Sequence, residues 1–116
     1  MDKKFYLTTT LPYVNADPHM GHALEFIEAD IIVRYMREKL GIDNVFFNVG
    51  TDEHGLKIYN KAQENNKTPQ EFVDFYAERF KEFCKILNIS YNNFYRTSDE
   101  KHKKVVQSFW NKSLEN

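Results

Sequence analysis

The chain has one cysteine, Cys84, in 116 residues. A lone thiol builds neither a disulfide framework nor a cysteine-based zinc site, and it points to a reducing, cytoplasmic setting. Long hydrophobic runs are missing. Phe5 to Pro12, broken by Thr8, Thr9 and Thr10, is too short and too polar for a signal peptide or a membrane span. Charge of one sign is missing too: 16 Lys and Arg against 17 Asp and Glu leave a formal net charge of −1. Any nucleic-acid partner would therefore be held by a local patch, not by overall attraction. Repeats and low-complexity segments are absent. What is present, 41% hydrophobic and 28% charged residues, is the composition of a soluble globular chain of about one domain.

Phe5 to Thr10 is aromatic and β-branched with period-two alternation, and predicts a first strand. Leu11 to Pro18 carries Pro12, Asn15, Asp17 and Pro18 and predicts a loop. From His19 to Leu40, Met20, Leu24, Ile27, Ile31 and Tyr35 recur at helical spacing, widened by Ile32, Met36 and Leu40. Gly41 ends that pattern. Val45 to Val49 is nearly continuously apolar, as in a parallel strand buried on both faces, and Gly50 to Gly55 is the next loop. A shorter helix follows over residues 55–65. Thr68, Pro69 and Glu71 form an N-terminal capping signature for a helix to about Leu87. That helix is expected to bury Phe72, Phe75 or Tyr76, Phe80, Phe83 and Leu87, with Cys84 packed among them. Phe94 to Thr97 reads as a short extended piece. Thr97 or Ser98 then caps a last helix whose apolar residues are Val105, Val106, Phe109, Trp110 and Leu114.

Strand, helix, strand predicts an α/β fold, with a parallel sheet and flanking helices. Parallel strands send their following loops off the same sheet edge, where ligands of open α/β sheets bind. His19, Gly21 and His22 should therefore share a crevice with Asp52 and His54. A helix N-terminus with two imidazoles suits phosphate, and a glycine leaves backbone that a flat base can approach. Asp52 suits an ammonium group. Such a crevice accepts an amino acid beside a nucleotide and favours attack of a carboxylate on the α-phosphorus of ATP, a reaction that needs alignment and charge stabilisation but no general base.

Blander roles compete with these. Helix-start histidines can be satisfied by water, and His19, His22, Asp52 and His54 could in principle ligate zinc. Gly21 and the two loops already account for these residues, so no metal is assigned. Glu53 is expected to be a solvating loop acid. Lys101, Lys103 and Lys104 are expected to form a solvated face in preference to contacting nucleic-acid phosphates.

The run Thr10-Leu11-Pro12-Tyr13-Val14-Asn15-Ala16-Asp17-Pro18-His19-Met20-Gly21-His22 and the loop Gly50-Thr51-Asp52-Glu53-His54-Gly55 closely resemble the methionyl-tRNA synthetases. His19-Met20-Gly21-His22 is similar to the His-x-Gly-His signature of all class I aminoacyl-tRNA synthetases. The second loop and Leu11-Pro12-Tyr13 are the methionyl-type pieces. Asn88 to Asn92 and Arg96-Thr97-Ser98 add to the likeness, which covers essentially the whole chain.

The resemblance implies a Rossmann-like fold and the first part of a catalytic nucleotide-binding domain, with residues 66–116 leading toward a connective insertion. It implies that Pro18, His19, Gly21 and His22 bind ATP, with the histidines catalytic, and that Leu11, Tyr13 and Asp52 bind L-methionine. Gly50, Thr51, His54 and Gly55 would form a supporting loop. The substrates would be methionine, ATP with Mg²⁺ and tRNA(Met), with tRNA contacts mostly outside these residues and no membrane partner. Zinc would enter only through the connective insertion. Family members are several times longer and carry a Lys-Met-Ser-Lys-Ser signature and an anticodon-binding domain, neither found here. The chain therefore reads as an N-terminal fragment, expected to be inactive alone. Two alternatives stand beside a methionine–tRNA ligase: an ATP- and methionine-binding module without turnover, and a sister synthetase for another aliphatic amino acid.

Overall fold

A computed structural model describes residues 3–115. In chain order the elements are β1 (Phe5–Thr8), α1 (Met20–Leu40), a 3₁₀ turn (Ile42–Asn44), β2 (Val45–Thr51), α2 (Leu56–Glu64), α3 (Pro69–Ile86), β3 (Asn93–Arg96) and α4 (Glu100–Leu114). The three strands form one sheet in the order β1-β2-β3. Both pairings are parallel, with Phe5 opposite Val45 and Asn48 opposite Asn93. The α/β expectation therefore holds. β1 ends earlier than its sequence pattern suggests. The Thr10 backbone N–H and hydroxyl both donate to the Glu25 carboxylate on α1, at 2.6 and 2.8 Å, which draws the chain off the ladder.

Alternation along β2 decides where the core sits. Val45, Phe47 and Val49 face a cluster that includes Phe26 and Val33 of α1, Ile58 and Ala62 of α2, and Phe72, Val73, Phe80 and Cys84 of α3. Phe26, Phe47 and Phe80 are fully buried, each contributing roughly 1.5–3 kcal/mol by area removed from water. The opposite face of the sheet carries Tyr6 and Phe46, stacked at 5.9 Å and both exposed. β2 is thus buried on one face, not two, because α1, α2 and α3 all pack on the same side. The body is a slab of 48 × 43 × 18 Å with a radius of gyration of 16.5 Å, against about 13 Å for a compact domain of this length.

α1 turns a different side to the core from the one its spacing suggested. Ala23, Phe26, Ala29, Asp30 and Val33 are buried, whereas Met20, Leu24, Ile27, Ile31 and Tyr35 face outward. Apolar residues lie on nearly every side of this helix, so periodicity alone does not select a face.

Asp30 fixes the choice. Its carboxylate accepts from Arg34 Nε at 2.6 Å and from the Ser90 backbone N–H and hydroxyl at 2.8 and 2.5 Å. Burial pushes its pKa up, but the bonds from Ser90 and Arg34 prevail and hold it below the usual carboxylate value. Arg37 reaches Ser90 and Asn92 from the next turn, tying α1 to the segment between α3 and β3.

The capping box of α3 forms as its sequence indicates, with Thr68 Oγ1 accepting from the Glu71 N–H and the Glu71 carboxylate accepting from the Thr68 N–H. On that helix Phe72 and Phe80 are buried, Tyr76 is half-buried and Phe75 is exposed. Cys84 is buried, and desolvation pushes its thiol up to about 12. α4 differs from expectation at its start: Asp99 is the N-cap and makes no side-chain cap bond. The hydroxyls of Thr97 and Ser98 are instead committed to the 51–53 loop. No residue of α4 is buried. Among the described residues, no helix is long and apolar enough to cross a membrane.

Candidate active site

The loops after β1 and β2 leave the same edge of the sheet and pair with each other. Asp52 donates its N–H to the Pro12 carbonyl at 2.9 Å, and Val14 donates to the Asp52 carbonyl at 3.2 Å. Tyr13 and Asp52 thus form a parallel bridge, which resumes the ladder after the break at Thr10. Val14 anchors this step by pointing into the core with no exposed surface. Leu11 and Tyr13 are half-buried, Pro12 is buried, Asn15 and Pro18 are half-buried, and Ala16 and Asp17 are exposed. Asp17 is paired to Arg79 Nε of α3, a tether that steadies the approach to α1.

α1 begins in a capping box built from two histidines. His19 is the N-cap, and its Nδ1 accepts the Gly21 N–H at 3.1 Å. His22 Nδ1 in turn accepts the His19 N–H at 3.1 Å. The rings stack at 3.8 Å. A neutral imidazole whose Nδ1 accepts must carry its proton on Nε2. Both rings therefore offer an Nε2–H donor at a helix N-terminus, where backbone dipoles already favour an anion. His22 also meets the Phe80 ring edge-on at 5.1 Å. Desolvation, and secondarily the nearby His19, lower its pKa against an opposing pull from Glu25. Gly21 lies against this pair: a Cβ there would come within 2.9 Å of the His19 ring. Met20 points away and is exposed.

The second loop is held more tightly than its letters suggest. Gly50 belongs to β2, and a Cβ on it would lie 1.9 Å from the Tyr95 carbonyl oxygen, so β3 can pair only with glycine there. Thr51 is buried and donates to Glu53 at 2.5 Å. Glu53, expected to be solvated, is almost wholly buried. It takes a bidentate pair from Arg96 at 2.7 and 2.9 Å and a bond from the Ser98 hydroxyl. Arg96 also reaches Asp74 of α3 at 2.6 Å. A buried carboxylate survives only with such partners, and Arg96, distant in sequence, supplies them.

Asp52 is left half-buried at the rim, its Oδ1 facing the His54 N–H at 3.5 Å and the Thr97 hydroxyl at 3.4 Å. His54 Nε2 bonds the Thr97 carbonyl at 3.0 Å, so its ring braces the loop. Gly55 has φ +137° and lies against the phenolic end of Tyr13.

Among the described residues no group of His, Cys, Asp and Glu is arranged to hold a metal ion. This edge carries the Asp52 carboxylate beside Tyr13 and, at the start of α1, the ring nitrogens of His19 and His22. The sequence profile of the tRNA synthetases class I (M) matches residues 5–116. The chain belongs to the methionyl class I synthetase family.

Relatives in that family include methionine–tRNA ligases of Thermotoga maritima, 53% identical over 97% of this chain and 18% of the relative, and of Rickettsia conorii, 43% identical over 100% and 22%. Among solved structures, the Mycobacterium tuberculosis methionyl-tRNA synthetase in complex with methionyl-adenylate superposes with a TM-score of 0.89 at 37% identity. It covers 94% of this chain and 21% of its own. The chain thus spans about a fifth of the length of these synthetases, and its sheet and helices match part of their Rossmann-like fold.

Sequence reasoning assigned no part in the site to Arg96, Asp74, Ser98, Arg79 or Phe80. One signal was available: Arg96 follows Phe94 by two residues, which puts a charge on the core-facing side of β3, and such a charge requires a buried partner.

Proposed function

We propose that residues 1–116 supply the substrate-gathering edge of a methionine–tRNA ligase, which joins methionine to ATP as methionyl-adenylate and passes it to tRNA(Met). The observation that carries this reading is the Tyr13–Asp52 bridge, which joins the two methionyl-type loops at the sheet edge where α1 begins. In this reading Asp52 takes the methionine ammonium, and Leu11 and Tyr13 line the side-chain pocket. The Nε2–H groups of His19 and His22 donate to phosphate oxygens of ATP, which arrives with Mg²⁺ as substrate. Gly21 leaves room beneath the adenine.

The methionine carboxylate is already a nucleophile. It attacks the α-phosphorus, a P–O bond forms as the bond to pyrophosphate breaks, and the two imidazoles oppose the charge on the phosphates. One such donor is typically worth about 3–4 kcal/mol in the barrier. Residues 66–116 lead toward the connective insertion, and tRNA(Met) contacts lie mostly elsewhere in the enzyme.

Since the chain spans about a fifth of its relatives' length, residues 1–116 by themselves are expected to be inactive. Methionine-dependent exchange of pyrophosphate into ATP in the full-length chain carrying this sequence, compared with leucine and valine, tests the assignment. Exchange with leucine or valine in place of methionine would overturn it. Calorimetry on residues 1–116 with methionine and with ATP then separates binding from catalysis.

A further inference from the structure

The Asp52 carboxylate is half-buried and lies on a loop, yet an ammonium ligand requires one orientation of it. Its backbone is fixed by Pro12 and Val14, which leaves the side-chain torsions to be set by what surrounds the carboxylate. Thr97, just past the end of β3, contacts every residue of that loop from Thr51 to His54. Its N–H donates to the Thr51 carbonyl at 3.2 Å. Its hydroxyl oxygen accepts the Glu53 N–H at 2.8 Å, and its carbonyl meets His54 Nε2 at 3.0 Å. With its oxygen occupied by that N–H, the hydroxyl proton is directed to Asp52 Oδ1 at 3.4 Å. The His54 N–H faces the same oxygen. Among the described residues no hydrogen bond is made to Oδ2.

We infer that Thr97 is a positioning residue for substrate recognition: its hydroxyl holds Asp52 Oδ1 inward so that Oδ2 is presented to the amino group of the amino-acid substrate. This rests on the assignment of Asp52 as the ammonium ligand and extends it to a residue in the turn after the third strand. Thr97 is itself locked, because Arg96 beside it is clamped by Glu53 and Asp74. A supporting group held this firmly transmits its geometry to the ligand it supports.

The test is steady-state pyrophosphate exchange in the full-length chain with Thr97→Val, Thr97→Ser and Asp52→Asn. Thr97→Val should raise the KM for methionine by about 5- to 10-fold, leaving the KM for ATP and kcat within about twofold, since the bond lost is long, at 3.4 Å, and falls in the range of an ordinary hydrogen bond. Thr97→Ser, which keeps the hydroxyl, should restore the methionine KM to within about twofold of the parent. Should the valine variant fail to fold, Thr97→Cys, a weaker donor of similar size, should lie between serine and valine in the same measurement. An unchanged methionine KM in the valine or cysteine variant, equal losses for methionine and ATP, or no recovery with serine would each overturn the inference. If Asp52→Asn leaves the methionine KM unchanged, the ammonium assignment falls and this inference with it. If Asp52→Asn raises it while Thr97→Val does not, only the role of Thr97 falls.

Discussion

Tyr13 lies so close over Gly55 that a Cβ on residue 55 would sit 2.1 Å from the phenolic oxygen and 3.2 Å from the ring carbon bearing it. One loop thereby sets the height of the other, and the pocket proposed for the methionine side chain depends on a residue with no side chain.

Gly55→Ala should therefore both strain a backbone at φ +137° and push Tyr13 aside. We expect a loss of roughly 1–3 kcal/mol in unfolding free energy, read from urea denaturation, together with weaker methionine binding. Tyr13→Phe removes the nearest clashing atom. In the double variant the two losses should sum to less than their separate values, the signature of a direct contact.

Arg96→Ala leaves the Glu53 carboxylate buried without its bidentate partner. Breaking a buried pair in this way costs about 3–5 kcal/mol, and the urea midpoint should fall accordingly. Lys61→Ala on α2, which removes only an exposed pair with Glu64, should change stability by less than about 1 kcal/mol.

Acid sensitivity should come in two steps. The folded state holds the His22 pKa below its ordinary value, so near and just below pH 6.5 the unfolded chain binds more protons. Stability therefore falls as pH drops through that range. The Asp30 pKa is also lowered by folding; its contribution is intact above the ordinary carboxylate pKa and is lost as pH falls through the lower folded value. Unfolding free energy measured against pH should lose its upper step in His22→Gln, and its lower step should shrink in Asp30→Asn without vanishing, because the bonds from Arg96 and Gln70 also hold the Asp74 pKa down. A curve unaltered by both substitutions would contradict these assignments.

The paired caps of α1 fix a tautomer. Nitrogen-15 spectra above pH 8 should show His19 and His22 as the Nε2–H form, because each Nδ1 accepts a backbone N–H. In His22→Ala, kcat for pyrophosphate exchange should fall about 10²–10³-fold, the usual loss for one donor to developing charge.

The parts of this fold legible in the sequence are those governed by neighbours in the chain. The Thr68–Glu71 box and the ending of α1 at Gly41 depend on residues a turn apart, and the β1-α1-β2 order follows from local pattern. Packing against remote segments was not legible. Met20, Leu24 and Ile27 carry a helical period as good as that of Ala23, Phe26 and Val33, and the bonds from Asp30, Arg34 and Arg37 to residues 88–92 select between them. Glu53 reads as a solvent-facing acid until Arg96 is brought beside it. Phe46 extends an apolar run yet lies on the uncovered face, because three helices share the other. Within the site, the meeting of the two loops followed from strand direction, while the bridge from Tyr13 to Asp52 and the bracing by Thr97 required coordinates.

The most direct test of the account is to replace Asp52 with alanine in the full-length chain and measure the KM for methionine and for ATP in the same exchange assay. Loss of a charged hydrogen bond should raise the methionine value by about 10- to 100-fold and the ATP value by less than about threefold. Equal losses for the two substrates, or a loss confined to ATP, would contradict a cleft in which this carboxylate receives the amino acid and the histidine-capped helix receives the nucleotide.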